Sequence, residues 1–279
     1  MIGIMQGRLS KPRSSLIQEF PWESWREEFP AAHKIGISII EWTVDHSRIL
    51  ENPLFLDSMI FEIKNLSDLH GIEICSVTLD NFVTAPLHKI NPITKKTSQI
   101  ETLYWIIDKA IKRNIEILVL PIVAENGGED IKSLTELKKQ MILVKNYLKN
   151  KDLKIALECE LKIEKIKYLS DSFDNFDNIG FNFDIGNSSA LNNNTAEEVK
   201  LYGDKLFNVH VKDKILNGST VPLGTGSVNF EKVFKELQLV GYSGNYILQA
   251  ARIPKQNELI TVKKYFDYCN KIKNSFSEF

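Results

Sequence analysis

Four polar residues each close a short apolar run: Glu158 in IALE, Asp184 in FNFD, His210 in FNVH and Gln249 in YILQ. The first three follow one another at intervals of 26 residues and the fourth comes 39 residues later. One strand, one helix and two connections take about 30 residues, so each interval is close to one βα unit. Two carboxylates, an imidazole and an amide oxygen make a donor set suited to a hard divalent cation. A parallel βα barrel would carry all four to the rim where that fold builds its sites.

The spacing within each run agrees. Side chains alternate across a strand. Over 154–160, Ala156, Glu158 and Glu160 share a face, opposite Ile155, Leu157 and Cys159. Asn182 and Asp184 oppose Phe181 and Phe183; Asn208, His210 and Lys212 oppose Val209 and Val211; Ile247 and Gln249 oppose Tyr246 and Leu248. Burying such polar sets is costly unless they are paired or hold a cation. The plainer alternative for a strand-end Asp or Glu is a cap on the next helix.

The elements that must position these residues recur along the whole chain. Strand-like runs fall at 2–7, 37–44, 72–80, 115–123, 154–160, 179–186, 206–212 and 245–250. They are nearly continuous in Ile, Val, Leu and Phe, as strands covered on both faces should be. Segments of helical length and amphipathic pattern lie between them, among them 55–70, 98–113, 130–149, 228–239 and 257–273. Gly36, Gly71 and Gly241 sit where left-handed C-caps are expected. Pro30 either kinks the first helix or marks its start. The polar stretch 187–195 reads as a loop. These elements predict an α/β fold, a (β/α)8 TIM barrel occupying residues 1–279 as one domain. The Gly-rich fingerprint of an open dinucleotide-binding sheet is missing after the first run.

Bulk composition narrows the function. The 279 residues carry 35 basic and 36 acidic side chains, for a net charge of −1. That balance gives no support for binding nucleic acid or an anionic membrane. No apolar run is long enough to span a bilayer. Three scattered cysteines, Cys75, Cys159 and Cys269, make neither a metal pair nor a disulfide framework, and point to a reducing cytoplasm.

The phrases IALECE, FNFDIGN and NVHVKD around Glu158, Asp184 and His210 resemble the xylose-isomerase-like TIM-barrel superfamily. PLGTGSVNF (222–230) resembles its turn after the seventh strand, and GYSGNYILQ (241–249) its eighth-strand segment. IGIMQGRLS and FPWESWREEFPAAHKIGISIIEW resemble a sugar phosphate isomerase/epimerase branch. The resemblance implies one divalent metal ion, Mn, Mg, Co or Zn, held by Glu158, Asp184, His210 and the residue at 249. It also implies proton transfer next to a sugar carbonyl through an enediol(ate), with Glu158 as the base. It places Glu164 at a substrate-contacting position. The family's usual fourth ligand is Glu, where this chain has Gln249; Asn187 replaces a usual His, and Leu216 replaces a frequent Arg.

An amide oxygen can ligate, but it brings no charge and cannot act as a base. One base suffices for aldose–ketose isomerisation, whereas epimerisation needs a group on each face. The sequence therefore favours isomerase over epimerase, with Glu160 or Asp80 as a second group. Arg8, Lys212, Lys214 and Arg252, with the backbone of Gly224 and Gly226, are candidates to hold a substrate phosphate. Trp42, Phe82 and Trp105 are candidates for a sugar pocket, Trp42 first. The expected partner is a small sugar or sugar phosphate, and homo-oligomerisation is left open. The rival readings are a non-catalytic sugar-binding relic and a phosphodiesterase resembling apurinic/apyrimidinic endonucleases. The second fits poorly with only five histidines.

Overall fold

The computed structural model describes residues 1–12, 18–46, 48–89, 99–123, 130–173, 175–253 and 255–276. Eight parallel strands close on themselves. They are β1 (Ile2–Met5), β2 (Ile40–Thr43), β3 (Ser76–Thr78), β4 (Ile117–Ile122), β5 (Lys154–Cys159), β6 (Ile179–Asp184), β7 (Leu206–Val211) and, after a short hairpin of β8 (Asp213–Lys214) and β9 (Thr220–Val221), β10 (Tyr246–Leu248). β10 lies between β7 and β1 and completes the circle. Each of the eight barrel strands falls inside a run expected from the sequence, and the architecture is the predicted (β/α)8 barrel.

Helices return the chain between strands: α1 (Glu28–Lys34), α2 (Ile60–His70), α3 (Asn81–Thr84), α4 (Gln99–Ile111), α5 (Ile131–Tyr147), α6 (Ile163–Phe173), α7 (Ile185–Ala190), α8 (Thr195–Tyr202), α9 (Phe230–Leu239) and α10 (Glu258–Ser275). Their starts are capped where the sequence offers an acceptor: Asp130 takes Ser133 N–H, Asn229 takes Lys232 N–H and Asn257 takes Ile260 N–H. Pro30 stands in the first turn of α1, where its missing N–H is no loss, so it marks a start rather than a kink. Residue 98, the first of an expected helical segment, lies outside the described residues.

One expectation fails. The stretch 187–195 is mostly helix, the body of α7 and the first residue of α8. Some of its polar side chains serve the fold: Ser188 Oγ donates to buried Glu198 at 2.5 Å, and Asn194 caps α8. Asn187 and Ser188 are buried, whereas Asn192 and Asn194 are exposed.

The barrel has two kinds of core. Outward-facing Ile155, Leu157, Phe181, Phe183, Val209 and Val211 join the large shell packed under the helices. Inside, Met5, Ile39 and Ile247 form one small apolar group and Val119, Ala156 and Phe207 another. Phe207 points inward because the β6–β7 register slips between Phe181 and Asn182. Gly180 makes that possible, since a Cβ there would stand 2.6 Å from the Phe207 ring and 2.2 Å from the Lys205 carbonyl oxygen. Beyond these groups the interior turns polar, towards the C-terminal ends of the strands.

Candidate metal centre

Asp184 ends β6, and Glu158 and His210 are the penultimate residues of β5 and β7. Parallel register sets Asp184 level with His210, and Glu158 level with Asn182, one inward residue before Asp184. The three bring one ligand atom each within 4.8 Å of one another, all buried. His210 Nδ1 stands 3.2 Å from Glu158 Oε2 and has no hydrogen-bond partner among the described residues. Asp184 divides its labour. Oδ1 caps α7 by accepting Asn187 N–H at 2.9 Å, while Oδ2 lies 2.5 Å from Lys212 Nζ. The capping reading is met by Oδ1, and the oxygen that a ligand role would use is Oδ2.

Beneath the triad lies a residue that the sequence reading passed over. Glu41 on β2 is fully buried inside the barrel. Its Oε1 lies 2.7 Å from His210 Nε2, and its Oε2 accepts from Ser76 Oγ at 2.7 Å and Asn208 Nδ2 at 2.8 Å. A carboxylate on the far ring nitrogen orients an imidazole and raises its basicity. The available signal was a lone acid in ISIIEWTV, on the face opposite Trp42.

Lys212 and Gln249 share the rim. Lys212 Nζ lies 2.5 Å from Asp184 Oδ2 and donates to Gln249 Oε1 at 3.0 Å. Gln249, expected among the ligands, is therefore engaged by Lys212. Asn187 is brought to the site: its Nδ2 lies 3.5 Å from Glu158 Oε1 and its Oδ1 accepts from Lys214 Nζ at 3.2 Å. Lys214 also pairs with Glu160 at 3.0 Å. Arg8, buried just after β1, lies close enough to Lys212 and Asp80 for their charges to interact. Arg252 donates to Gly7 O at 2.5 Å beside it, and both residues line one small cavity between the β1–β10 edge and α10. The β1 turn itself is held by buried Glu28, which accepts from Gly7 N–H, Leu9 N–H and Ser10 Oγ.

Other candidates stand elsewhere. Trp42 faces outward because its neighbour Glu41 faces in. It packs against Phe20 and Trp25 with centroids 5.5 and 5.6 Å away, and donates to Asn52. It lines no sugar pocket. Phe82 is in the apolar shell, and Trp105 packs on Phe55. Glu164 is exposed on the first turn of α6, and takes part in none of the site contacts above. The Gly224 and Gly226 N–H groups do not face a substrate anion: both donate to Asp213 Oδ2, at 2.9 and 2.8 Å.

The electrostatics follow from burial and pairing. Burial opposes charge on His210, but Glu41 and Glu158 outweigh it and raise the imidazole to about 10. Burial also opposes charge on Glu158, and His210 with Lys212 holds its carboxyl well below the usual range. Burial, reinforced by Glu158, pushes Asp80 up to about 7. Several buried polar atoms at this end of the barrel have no hydrogen-bond partner among the described residues: Gln6 Nε2, Asp80 Oδ2, Asn208 Oδ1 and both amide atoms of Asn182. Such atoms are rare in a finished interior. With His210 Nδ1, they fit a site completed by an ion and a polar ligand. A larger groove, about 690 Å³, lies at the opposite end of the barrel between α2 and the α4–β4 turn, and contains none of these residues.

A model of the xylose isomerase-like TIM barrel family matches residues 29–263, and the chain belongs to that family. L-ribulose-5-phosphate 3-epimerase UlaE of Salmonella paratyphi A is 36% identical over 86 residues, which span 30% of this chain and 30% of that protein. Among solved structures, an L-ribulose 3-epimerase superposes with a TM-score of 0.75 at 13% identity, covering 98% of this chain and 94% of the other. The IOLI protein with a bound zinc atom superposes at 0.72 and 15% identity, covering 97% and 98%.

Proposed function

We propose that the protein is a divalent-metal-dependent isomerase or epimerase of a small sugar or sugar phosphate. The observation that carries this reading is the convergence of Glu158, Asp184 and His210 within 4.8 Å at the mouth of the barrel. Similarity to the L-ribulose-5-phosphate 3-epimerase and to the L-ribulose 3-epimerase supports a ketose or ketose phosphate as substrate, and the zinc atom of the IOLI protein supports a metal. Glu158, Asp184 and His210 would hold the ion, with Mn, Mg, Co or Zn all compatible with an O/O/N donor set. When bound, it would polarise the substrate carbonyl and make the adjacent C–H more acidic.

The chain's own residues supply the rest. Glu158 is ionised at neutral pH and takes the proton from the carbon beside the carbonyl. Asn187 steadies Glu158 from the α7 side. Glu41 holds the His210 ring in place through Nε2. Asp80, pushed up to about 7, is near the pKa at which a group both gives and takes protons at neutral pH. It is the candidate to return the proton on a second face. Isomerisation needs only Glu158; epimerisation needs Asp80 or an equivalent. Arg8, within charge-interaction reach of Lys212 and Asp80, places positive charge on the β1 side of the mouth, where a substrate phosphate would be attracted.

The test is a metal analysis of the purified protein, then incubation with free and phosphorylated ketoses in deuterated water. Metal-dependent incorporation at one carbon is the expected result. A change from ketose to aldose identifies an isomerase, and inversion an epimerase. Protein that retains no divalent ion after exposure to each metal, and exchanges no proton with these sugars, would overturn the proposal.

A further inference from the structure

Parallel pairing sets Ile247 level with His210 and Leu248 level with Val211. The next bond, Gln249 N–H to Val211 O at 3.0 Å, carries the register on and brings Gln249 beside Lys212 at the rim. One ammonium then spans two acceptors, Asp184 Oδ2 at 2.5 Å and Gln249 Oε1 at 3.0 Å. The path of the lysine stem is built into the fold. A Cβ on Gly186 would stand 3.0 Å from both Lys212 Cγ and the Lys212 carbonyl oxygen, so a larger residue there would displace the stem. Lys212 itself is 9% exposed. A carboxylate at 249 would draw the ammonium away from Asp184 with a full charge. An amide oxygen holds it without competing.

We propose that Gln249 is a positioning residue for Lys212 and not a metal ligand, and that Lys212 is a resident counter-cation of Asp184. A divalent ion bound here is then held by three protein side chains and competes with an ammonium for one of them. The inference rests on the metal reading above, but assigns the fourth residue of the series a different task.

Metal-free protein is titrated calorimetrically with Co²⁺, and the visible spectrum of the bound ion is recorded for each variant. Gln249→Met leaves the spectrum unchanged and the affinity within about threefold, well under the tenfold that 1.4 kcal/mol represents. Lys212→Met tightens Co²⁺ binding at least about tenfold, because it removes a like charge from a buried site. Should that variant not fold, Lys212→Gln removes the same charge and keeps a hydrogen-bond donor. A Gln249→Met protein that binds at least about tenfold more weakly, with an altered spectrum, shows the amide to be a ligand and overturns the proposal. So does a neutralised Lys212 that leaves the affinity unchanged or lower. When wild type binds Co²⁺ and these arms fail, the metal reading stands and only the lysine assignment falls. When neither wild type nor the Lys212 variants take up the ion, both fall. Uptake by the Lys212 variants alone supports the counter-cation and corrects the metal dependence of the wild type.

Discussion

Glu158 and Glu41 are both buried acids against one imidazole, yet their surroundings assign them different work. Glu158 is 11% exposed at its side chain, whereas Glu41 has no exposure, so under the proposed function Glu158 is the one assigned as base. Glu158→Gln should lower turnover by about 10²–10⁴, the usual contribution of a general base, while the far-ultraviolet circular dichroism stays that of the wild type. Activity within a few-fold of wild type would remove Glu158 from the base role. Glu41 instead spends its oxygens on His210, Ser76 and Asn208. Glu41→Gln should weaken metal affinity by about 10–100-fold, as expected for the partner of a ligating histidine. Titration of the metal-free variant checks this, and an unchanged affinity would reduce Glu41 to filler.

At the scale of elements, the segment after β7 is a strap tied to one side chain. Asp213 is fully buried and accepts from Gly224, Gly226 and Val228 N–H groups at 2.9, 2.8 and 3.2 Å. This clasp folds the β8–β9 hairpin back beside the mouth and carries Lys214 onto Glu160 and Asn187. A Cβ on Gly226 would stand 2.2 Å from Asp213 Oδ1. Gly226→Ala should therefore lower stability by about 1–3 kcal/mol, the range for overpacking, and speed limited proteolysis within 214–228. Denaturant unfolding and a proteolysis time course measure both; a variant as stable and as resistant as wild type would show that the clasp is not needed. The glycines of this turn were legible in the sequence as backbone donors. Their acceptor was not, because an internal aspartate and a substrate anion present the same kind of oxygen.

For the whole molecule, the barrel concentrates its buried charge at one end, and that couples stability to pH. The folded pKa of His210 is raised to about 10 from an ordinary value near 6.5. A group raised in this way stabilises the fold fully below its unfolded pKa and loses that contribution as pH rises through the folded value. Metal-free protein should thus lose stability between about pH 6.5 and 10, and His210→Asn should flatten that part of the profile. Thermal unfolding in chelator across this range tests it; an equally steep decline in the variant would assign it to another group. A bound ion must displace the same proton, so metal affinity should rise with pH over the same window.

Much of this protein was determined locally and so could be read from the chain. Strands covered on both faces must be continuously apolar, and polar residues at their ends stand out against that background. Glu158, Asp184 and His210 were visible for that reason, as were the βα repeat and the left-handed glycines Gly36, Gly71 and Gly241. What depended on distant pairings was not visible. Glu41 reaches His210 across 169 positions of sequence, only because closure of the barrel brings β2 and β7 to face each other across its interior. Trp42 and Glu41 are adjacent, and the sense of one strand's alternation sent the acid to the site and the indole to the shell. Register between β7 and β10 set Gln249 beside Lys212. The sequence determined which groups end at the rim, because strand periodicity is local; the closed sheet decided which of them touch, because that depends on register and curvature summed around the whole barrel.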